Sequence, residues 1–103
     1  MYRGTTPTIT FKIDTDINLN DLATCYVTMK SQVNSKVKEY TLIDLVIDDE
    51  AKTLTLAMDQ DDTLFFLPGS VQVQLRLRTN NNLAYASDIK TLNFKQVIKN
   101  GVI

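Results

Sequence analysis

The stretch VQVQLRLR, residues 71–78, alternates branched apolar residues with polar ones without a break. Its apolar set is Val71, Val73, Leu75 and Leu77, and its polar set is Gln72, Gln74, Arg76 and Arg78. Successive side chains of a β-strand point to opposite faces of a sheet, so this alternation predicts a strand with one buried and one exposed face. The stretch has none of the lysines that protect sheet edges, which predicts an interior strand, hydrogen-bonded on both sides.

Alternation with a period of two recurs along the rest of the chain, and helical periodicity is nearly absent. It predicts further strands at Thr8–Ile13, Ala23–Met29, Lys36–Leu42, Leu45–Ile47, Thr53–Met58 and Leu83–Phe94. Asn80–Asn82 precedes the last of these, and asparagine tolerates the left-handed backbone angles of hairpin turns. About seven short strands with turns about every ten residues predict one all-β domain over residues 1–103, an antiparallel β-sandwich.

Three local irregularities add detail to this sandwich. The apolar residues of the last strand change parity between Ser87 and Lys90, which predicts a bulge or bend there. Residues 59–66 fit one short helical turn, which an aspartate can cap and Pro68–Gly69 ends. The lysines of Ser35–Glu39 are typical of a protected sheet edge.

The composition excludes several kinds of chemistry. The chain has 103 residues, of which 44% are hydrophobic and 22% charged, as in a globular domain with one core. It has no histidine, which excludes a Ser/His/Asp triad, a Cys/His pair and histidine-ligated zinc. Cys25 is the only cysteine, so no intramolecular disulfide can form, and its strand context indicates a core residue. We expect no catalytic residue and no cofactor.

Charge and hydropathy narrow the range of partners and locations. The formal net charge of −1 gives no overall attraction for nucleic acid or for an anionic membrane surface. No apolar run approaches the roughly 20 residues of a membrane-spanning helix. The opening residues 1–7 lack the apolar segment of a signal peptide. We expect synthesis in the cytoplasm, with no membrane and no nucleic acid as partner.

Residues Asp14–Asp21 resemble the start of a calcium-binding loop. Asp14, Asp16 and Asn18 fit the first three ligand positions of an EF-hand. The match then fails, because Leu19 stands where the turn needs glycine and Cys25 where a bidentate glutamate is required. We interpret the segment as a polar loop between strands and predict no metal site.

Two acidic groups raise the question of a carboxylate pair of the glycosidase type. One group is Asp48, Asp49 and Glu50, and the other is Asp59, Asp61 and Asp62. Both fall in predicted turns, where aspartate caps helices and initiates turns. The chain also has no tryptophan, a residue that commonly stacks on sugars. The sequence therefore favours a protein that is not an enzyme.

The polar half of the opening stretch is the candidate binding surface. Arg76 and Arg78, with Lys90 and Lys95 as potential neighbours, can form a small basic face. Nucleic-acid binding by a sheet combines such charge with exposed aromatic residues, and only Tyr26 and Tyr85 are available. A solvated face is the default for an antiparallel sheet, whereas arginine is also enriched in protein interfaces. Gln72, Gln74, Arg76 and Arg78 are therefore the candidate protein interface.

Segments from both ends and the middle of the chain resemble a known family. They are Arg3–Phe11, Asp62–Arg76, Ala86–Ile89 and the closing Lys99–Ile103, and the region from about Asn18 to Met58 has no counterpart. These segments resemble small proteins encoded in phages and prophages of Gram-positive bacteria. Those proteins are similar to the immunoglobulin-like N-terminal module of phage baseplate upper proteins. Because the resemblance touches the start, middle and end of the chain and Met1 is present, we expect a stand-alone small protein.

The resemblance implies an immunoglobulin-like β-sandwich with a structural or assembly role in a phage tail or baseplate. Its partners would be other tail or baseplate proteins or further copies of itself, in the host cytoplasm and then in the virion. It implies no catalytic residue, because the family has no motif that marks one. The alternative is a carbohydrate-binding or host-recognition module, for which Tyr2, Tyr40 and Tyr85 are the candidate stacking residues. A third class, a small phage enzyme or nuclease accessory protein, is disfavoured by the missing histidine and tryptophan.

Overall fold

The computed structural model describes residues 1–103 and contains two antiparallel β-sheets, of three and five strands. The strands are β1 Thr8–Lys12, β2 Leu22–Ser31, β3 Val37–Thr41, β4 Leu45–Asp48, β5 Thr53–Ala57, β6 Gly69–Thr79, β7 Ala84–Ala86 and β8 Lys90–Phe94. A short helix, α1, spans Gln60–Leu64, and two 3₁₀ turns span Leu19–Asp21 and Leu42–Asp44. The all-β sandwich predicted from the sequence is confirmed at this level of detail. No helix is long and apolar enough to cross a membrane.

Each sheet has a simple strand order. The three-stranded sheet has the order β1-β5-β4. The five-stranded sheet has the order β3-β2-β6, and both β7 and β8 pair with the far side of β6. The chain crosses between the sheets after β1, after β3 and again through α1. Each sheet therefore contains strands from separate parts of the sequence.

Strand β6 is the centre of the larger sheet, as VQVQLRLR predicts. It pairs with β2 along nearly its whole length and with β7 and β8 on its other side. Its apolar residues are 0–3% exposed, and these are Val71, Val73, Leu75 and Leu77. Burial of one such side chain stabilises the fold by about 1.5–3 kcal/mol, which makes β6 a principal anchor of the core.

The predicted irregularity at residues 87–90 is a one-residue bulge. Arg76 pairs with Ala86 in β7, whereas Val73 pairs with Lys90 in β8, so the second register contains one extra residue. Ser87 fills this gap. Its N–H donates to the Leu75 carbonyl at 2.8 Å, and its hydroxyl accepts from the Leu75 N–H at 3.0 Å. The two strands therefore form one interrupted strand beside β6.

The core lies between the sheets and contains 18 buried hydrophobic residues. Phe66 and Phe94 are its largest fully buried side chains, with ring centroids 5.3 Å apart. Cys25 is fully buried, as its strand context predicts, and burial raises the pKa of its thiol from 9.0 to about 11. A thiol in this environment behaves as a small hydrophobe rather than as a nucleophile.

Helix α1 forms where residues 59–66 predict a helical turn. Asp59 is the N-cap, and its carboxylate accepts from the Asp62 N–H at 2.8 Å. The Asp62 carboxylate in turn accepts from the Asp59 N–H at 2.9 Å, which completes a capping box. The N-terminal segment packs beside the helix, where the Arg3 side chain donates to the carbonyls of Phe66 and Leu64 at 2.7 and 3.0 Å.

Candidate functional site

The candidate interface lies on the outer face of the five-stranded sheet. Residues that pair across antiparallel strands share a face, so the pairing registers define this surface. Its central row runs Thr41, Tyr26, Arg76 and Ala86, and the next row runs Thr24, Arg78 and Ala84. On the other side of the central row lie Glu39, Thr28 and Gln74. We call this surface the outer face.

A depression of about 520 Å³ opens in the outer face. Its lining combines Arg76 and Arg78 with the ring of Tyr26, which is 41% exposed. The neighbouring strands contribute small side chains, Thr24, Thr28, Ala84 and Ala86, and Glu39 lies at the β3 side. The surface therefore offers two guanidinium groups and the exposed Tyr26 ring to a ligand, and the half-buried Tyr85 also lines it.

The two arginines are free to bind a partner. The structure has salt bridges only at Lys38–Asp62 and Lys52–Asp49, and neither Arg76 nor Arg78 makes a side-chain hydrogen bond. Each guanidinium is a fork of donors that suits a carboxylate, and it is more weakly hydrated than an ammonium group. Arg76 and Arg78 are therefore the strongest binding groups of the outer face.

The structure divides the four predicted interface residues. Arg76 and Arg78 line the depression, whereas Gln72 and Gln74 lie beyond it with Lys30. The Gln74 amide donates to the Ser87 carbonyl at 3.0 Å, so this side chain supports the bulge and is only half exposed. Gln72 is exposed and pairs across the sheet with Lys30.

The wider basic face considered from the sequence does not form around the arginines. Lys90 pairs with Val73, which is three residues along β6 from Arg76. Lys95 lies over the ring of Tyr2 at 5.4 Å from its centroid, at the end of the sandwich where the N-terminal segment meets β8. Two of the predicted stacking residues are less exposed than a ligand-binding ring needs to be. Tyr85 is half-buried against the core, and Tyr40 is only 7% exposed.

Tyr40 is therefore wrong as a sugar-stacking residue. Its hydroxyl is buried near the Asp62 carboxylate without a hydrogen-bond partner of good geometry. Burial, and after it the neighbouring Asp62 carboxylate, raise the pKa of the phenol well above its usual value of 10.0. The pKa of Asp62 is lowered below 3.8, because the hydrogen bond from the Asp59 N–H, together with the nearby Tyr40 hydroxyl and Lys38 ammonium group, outweighs its desolvation. This cluster supports α1 and β3 rather than a reaction.

The two acidic groups are not brought together by the fold. Asp48, Asp49 and Glu50 lie before β5 and Asp59, Asp61 and Asp62 follow it, so the two groups stand at opposite ends of one strand. No group of three or more His, Cys, Asp or Glu side chains is placed to hold a metal ion.

In the Asp14–Asp21 loop, two of the side chains at or beside predicted ligand positions have other roles. Asn18 accepts from the Asn20 N–H at 3.0 Å, and Leu19 is fully buried. Asp21 also holds the hairpin that follows β6, since its carbonyl accepts from the Asn80 N–H at 2.9 Å. The segment is a structured connection between strands.

Comparisons with protein-family models, with curated proteins and with solved structures found no match to this chain. The site is therefore characterised by its own geometry.

Proposed function

We propose that the chain is a non-enzymatic binding module of a phage or prophage, with a structural or assembly role in a tail or baseplate. The observation that carries the proposal is that Arg76 and Arg78 are exposed and have no intramolecular partner. Both lie on β6, the central strand of the larger sheet. Arginine and tyrosine are enriched at the energetically dominant positions of protein interfaces. A partner that presents carboxylates to this depression would pair with both arginines and cover the Tyr26 ring.

The strand order supports an immunoglobulin-like topology as part of this proposal. Such sandwiches place strands B, E and D in one sheet and C, F and G in the other, and variable-type domains add C′ beside C. With β1 as B, β2 as C and β3 as C′, the order β1-β5-β4 reads B-E-D. The order β3-β2-β6 followed by β7 and β8 reads C′-C-F-G, with the interrupted strand as G.

The phage setting rests on the resemblance of Arg3–Phe11, Asp62–Arg76 and the closing residues to small phage and prophage proteins. Two of these segments meet in the fold, since the Arg3 side chain binds the carbonyls of Leu64 and Phe66. The resembling residues therefore build one structural unit at the end of the sandwich that holds both chain termini. The gene neighbourhood tests whether the role is shared.

The test is a charge reversal on the outer face. Arg76→Glu/Arg78→Glu should fold normally, because both side chains are exposed and unpaired. It should lose co-purification with the tail or baseplate proteins encoded beside its gene, and it should be lost from purified particles. Lys90→Glu/Lys99→Glu makes the same change in charge at exposed residues away from the depression and should keep both properties. A gene among replication genes and absence of the wild-type protein from particles would overturn the proposal.

A second candidate is binding of a carbohydrate in the same depression. The exposed ring of Tyr26 beside two arginines and Glu39 favours it, because a sugar can stack on an aromatic ring and bond to charged groups. A glycan array with Tyr26→Ala as the matched variant separates the two functions. Saturable glycan binding that Tyr26→Ala removes would favour this candidate over protein assembly.

A further inference from the structure

Strand β1 is the open edge of the three-stranded sheet. Its single partner is β5, in the register Thr8–Ala57 to Lys12–Thr53 without a shift. The ladder is continued at its two ends by hydrogen bonds from Met58 N–H to the Pro7 carbonyl and from Ile13 N–H to the Lys52 carbonyl. In an antiparallel pair, alternate residues direct their backbone groups to the same side. The N–H and C=O groups of Thr8, Thr10 and Lys12 therefore point away from the protein.

The edges of the five-stranded sheet carry features that oppose pairing with another chain. On β3, Lys38 contacts Asp62 at 3.3 Å and lies over the Phe65 ring at 5.0 Å, so a charged side chain occupies the margin of the core. The opposite edge is broken by the bulge at Ser87, and its end is covered by the N-terminal segment through the Tyr2–Lys95 bridge. Bulges and inward-pointing charges are devices that protect edges.

The second edge of the small sheet is also protected. Strand β4 has only four residues, and Asp44 precedes it while Asp48 ends it. The 3₁₀ turn Leu19–Asp21 contacts this strand, and the Leu19 N–H donates to the Asp49 side chain at 2.7 Å. Strand β1 has no bulge or register shift, and its only charged residue is Lys12 at its last position, with Pro7 just before its first.

We propose that β1 pairs antiparallel with β1 of a second copy of this chain, which joins the two small sheets into one continuous sheet of six strands. When Thr10 lies opposite the partner's Thr10, each outward N–H of one strand faces an outward C=O of the other. Thr8 then lies opposite the partner's Lys12, and Lys12 opposite the partner's Thr8. Each of these three pairs exchanges two hydrogen bonds, so every outward N–H and C=O of the edge gains a partner.

The side chains fit the same register. Thr–Thr pairs across antiparallel strands are favourable, and the two Lys12 ammonium groups stand about four residue rises apart, roughly 13 Å. That separation exceeds the Debye length of about 8 Å at physiological ionic strength, so their repulsion is largely screened. On the inner side, Ile9 lies opposite the partner's Phe11. Ile9 is half-buried at the margin of the core, and pairing covers its remaining exposed surface.

Other registers are less favourable for this strand. Moving the pairing centre to Lys12 would bring the two lysines face to face, and moving it by one residue would match outward backbone groups to inward ones. The register centred on Thr10 is the one that uses all the free groups without a like-charge pair. This specificity argues for a second copy as the occupant of the edge.

The test combines sedimentation with amide hydrogen exchange on the full chain. The wild-type protein should form a dimer as concentration rises, and the Thr10 amide should become protected together with it. The Ile9 and Phe11 amides face β5 and should be protected at every concentration. Thr10→Pro removes the outward N–H, and Thr10→Lys keeps it but places two lysines opposite each other. Both should weaken the dimer by about tenfold or more, because each copy loses one intermolecular hydrogen bond in Thr10→Pro and two like charges face each other in Thr10→Lys.

Val37→Pro is the matched control, because Val37 is an exposed residue of another edge strand, β3, and should leave the dimer unchanged. Circular dichroism checks that each variant is folded. A wild-type protein that remains monomeric at millimolar concentration would overturn the proposal. So would a dimer that keeps its strength in Thr10→Lys, or one in which the Thr10 amide still exchanges freely. Arg76→Glu/Arg78→Glu should dimerise like the wild type, which separates this contact from the outer face.

Discussion

Replacing Ser87 with alanine should destabilise the protein by about 1–3 kcal/mol. The Ser87 hydroxyl accepts the Leu75 N–H at 3.0 Å, in the place where a backbone carbonyl would stand in a regular ladder. Leu75 is fully buried, so water cannot replace the lost acceptor. A buried N–H left without an acceptor lowers the free energy of unfolding by about 1–3 kcal/mol, whereas an N–H that can bond to water instead lowers it far less. For a domain of this size, each 1 kcal/mol lowers the melting temperature by about 4–8 °C.

Urea unfolding of Ser87→Ala, Ser87→Thr and Ser70→Ala measures this effect. Ser87→Thr keeps a hydroxyl and should retain most of the stability. Ser70 is exposed on β6 and its hydroxyl makes no hydrogen bond, so Ser70→Ala should change stability by less than about 0.5 kcal/mol. Hydrogen exchange should show faster exchange of the Leu75 amide only in Ser87→Ala. If Ser87→Ala were as stable as Ser70→Ala, with an equally protected Leu75 amide, the bulge would not depend on this hydroxyl.

Three further outcomes are expected. Asp62→Asn should cost about 0.5–1 kcal/mol at pH 7 by loss of the Lys38 ion pair. Because the pKa of Asp62 lies below 3.8 in the folded protein, this contribution is present above about pH 4 and is lost as the pH falls through the lowered pKa, so the difference in stability between the two proteins should shrink as they are unfolded at successively lower pH. Cys25 should react with a thiol reagent at least about a hundredfold more slowly in the native than in the unfolded protein, since its pKa rises from 9.0 to about 11 and its side chain is fully buried. Millimolar calcium should leave the melting temperature unchanged, and a rise that Asp14→Asn removes would show that the Asp14–Asp21 loop is a metal site after all.

Local patterns in the sequence predict most of the fold. The alternation of residues 71–78 identifies β6 as a strand with one buried face, and the absence of edge lysines predicts its interior position. The change of parity before Lys90 locates the bulge, and Asp59 locates the start of α1, since both signals lie within a few residues of the feature. The lysines near Ser35 correctly mark an edge strand.

The binding surface depends on contacts that no local pattern contains. Tyr26 and Ala86 join Arg76 only because β2 and β7 flank β6, and strand order is not readable from alternation. The parity of Tyr26 with its threonine neighbours was a usable signal that it points outward. Parity assigns Gln74 to the interface, but its amide donates to the Ser87 carbonyl at the bulge. The carbohydrate alternative needs an exposed Tyr40, whereas Tyr40 pairs with the buried Val27 and shares its inner face.

The parallel bridge between Tyr2 and Lys95 has a mechanical consequence. The Lys95 N–H donates to the Met1 carbonyl at 2.8 Å and the Arg3 N–H donates to the Lys95 carbonyl at 3.1 Å, between two segments that run in the same direction. Force applied to the two ends of the chain would slide these segments past each other and strain both bonds at once. The tail beyond Lys95, tied at Ile103 to the Gln60 amide, would peel away first. Under tension, the two hydrogen bonds between the N-terminal segment and Lys95 would therefore be the contact that resists opening of the sandwich.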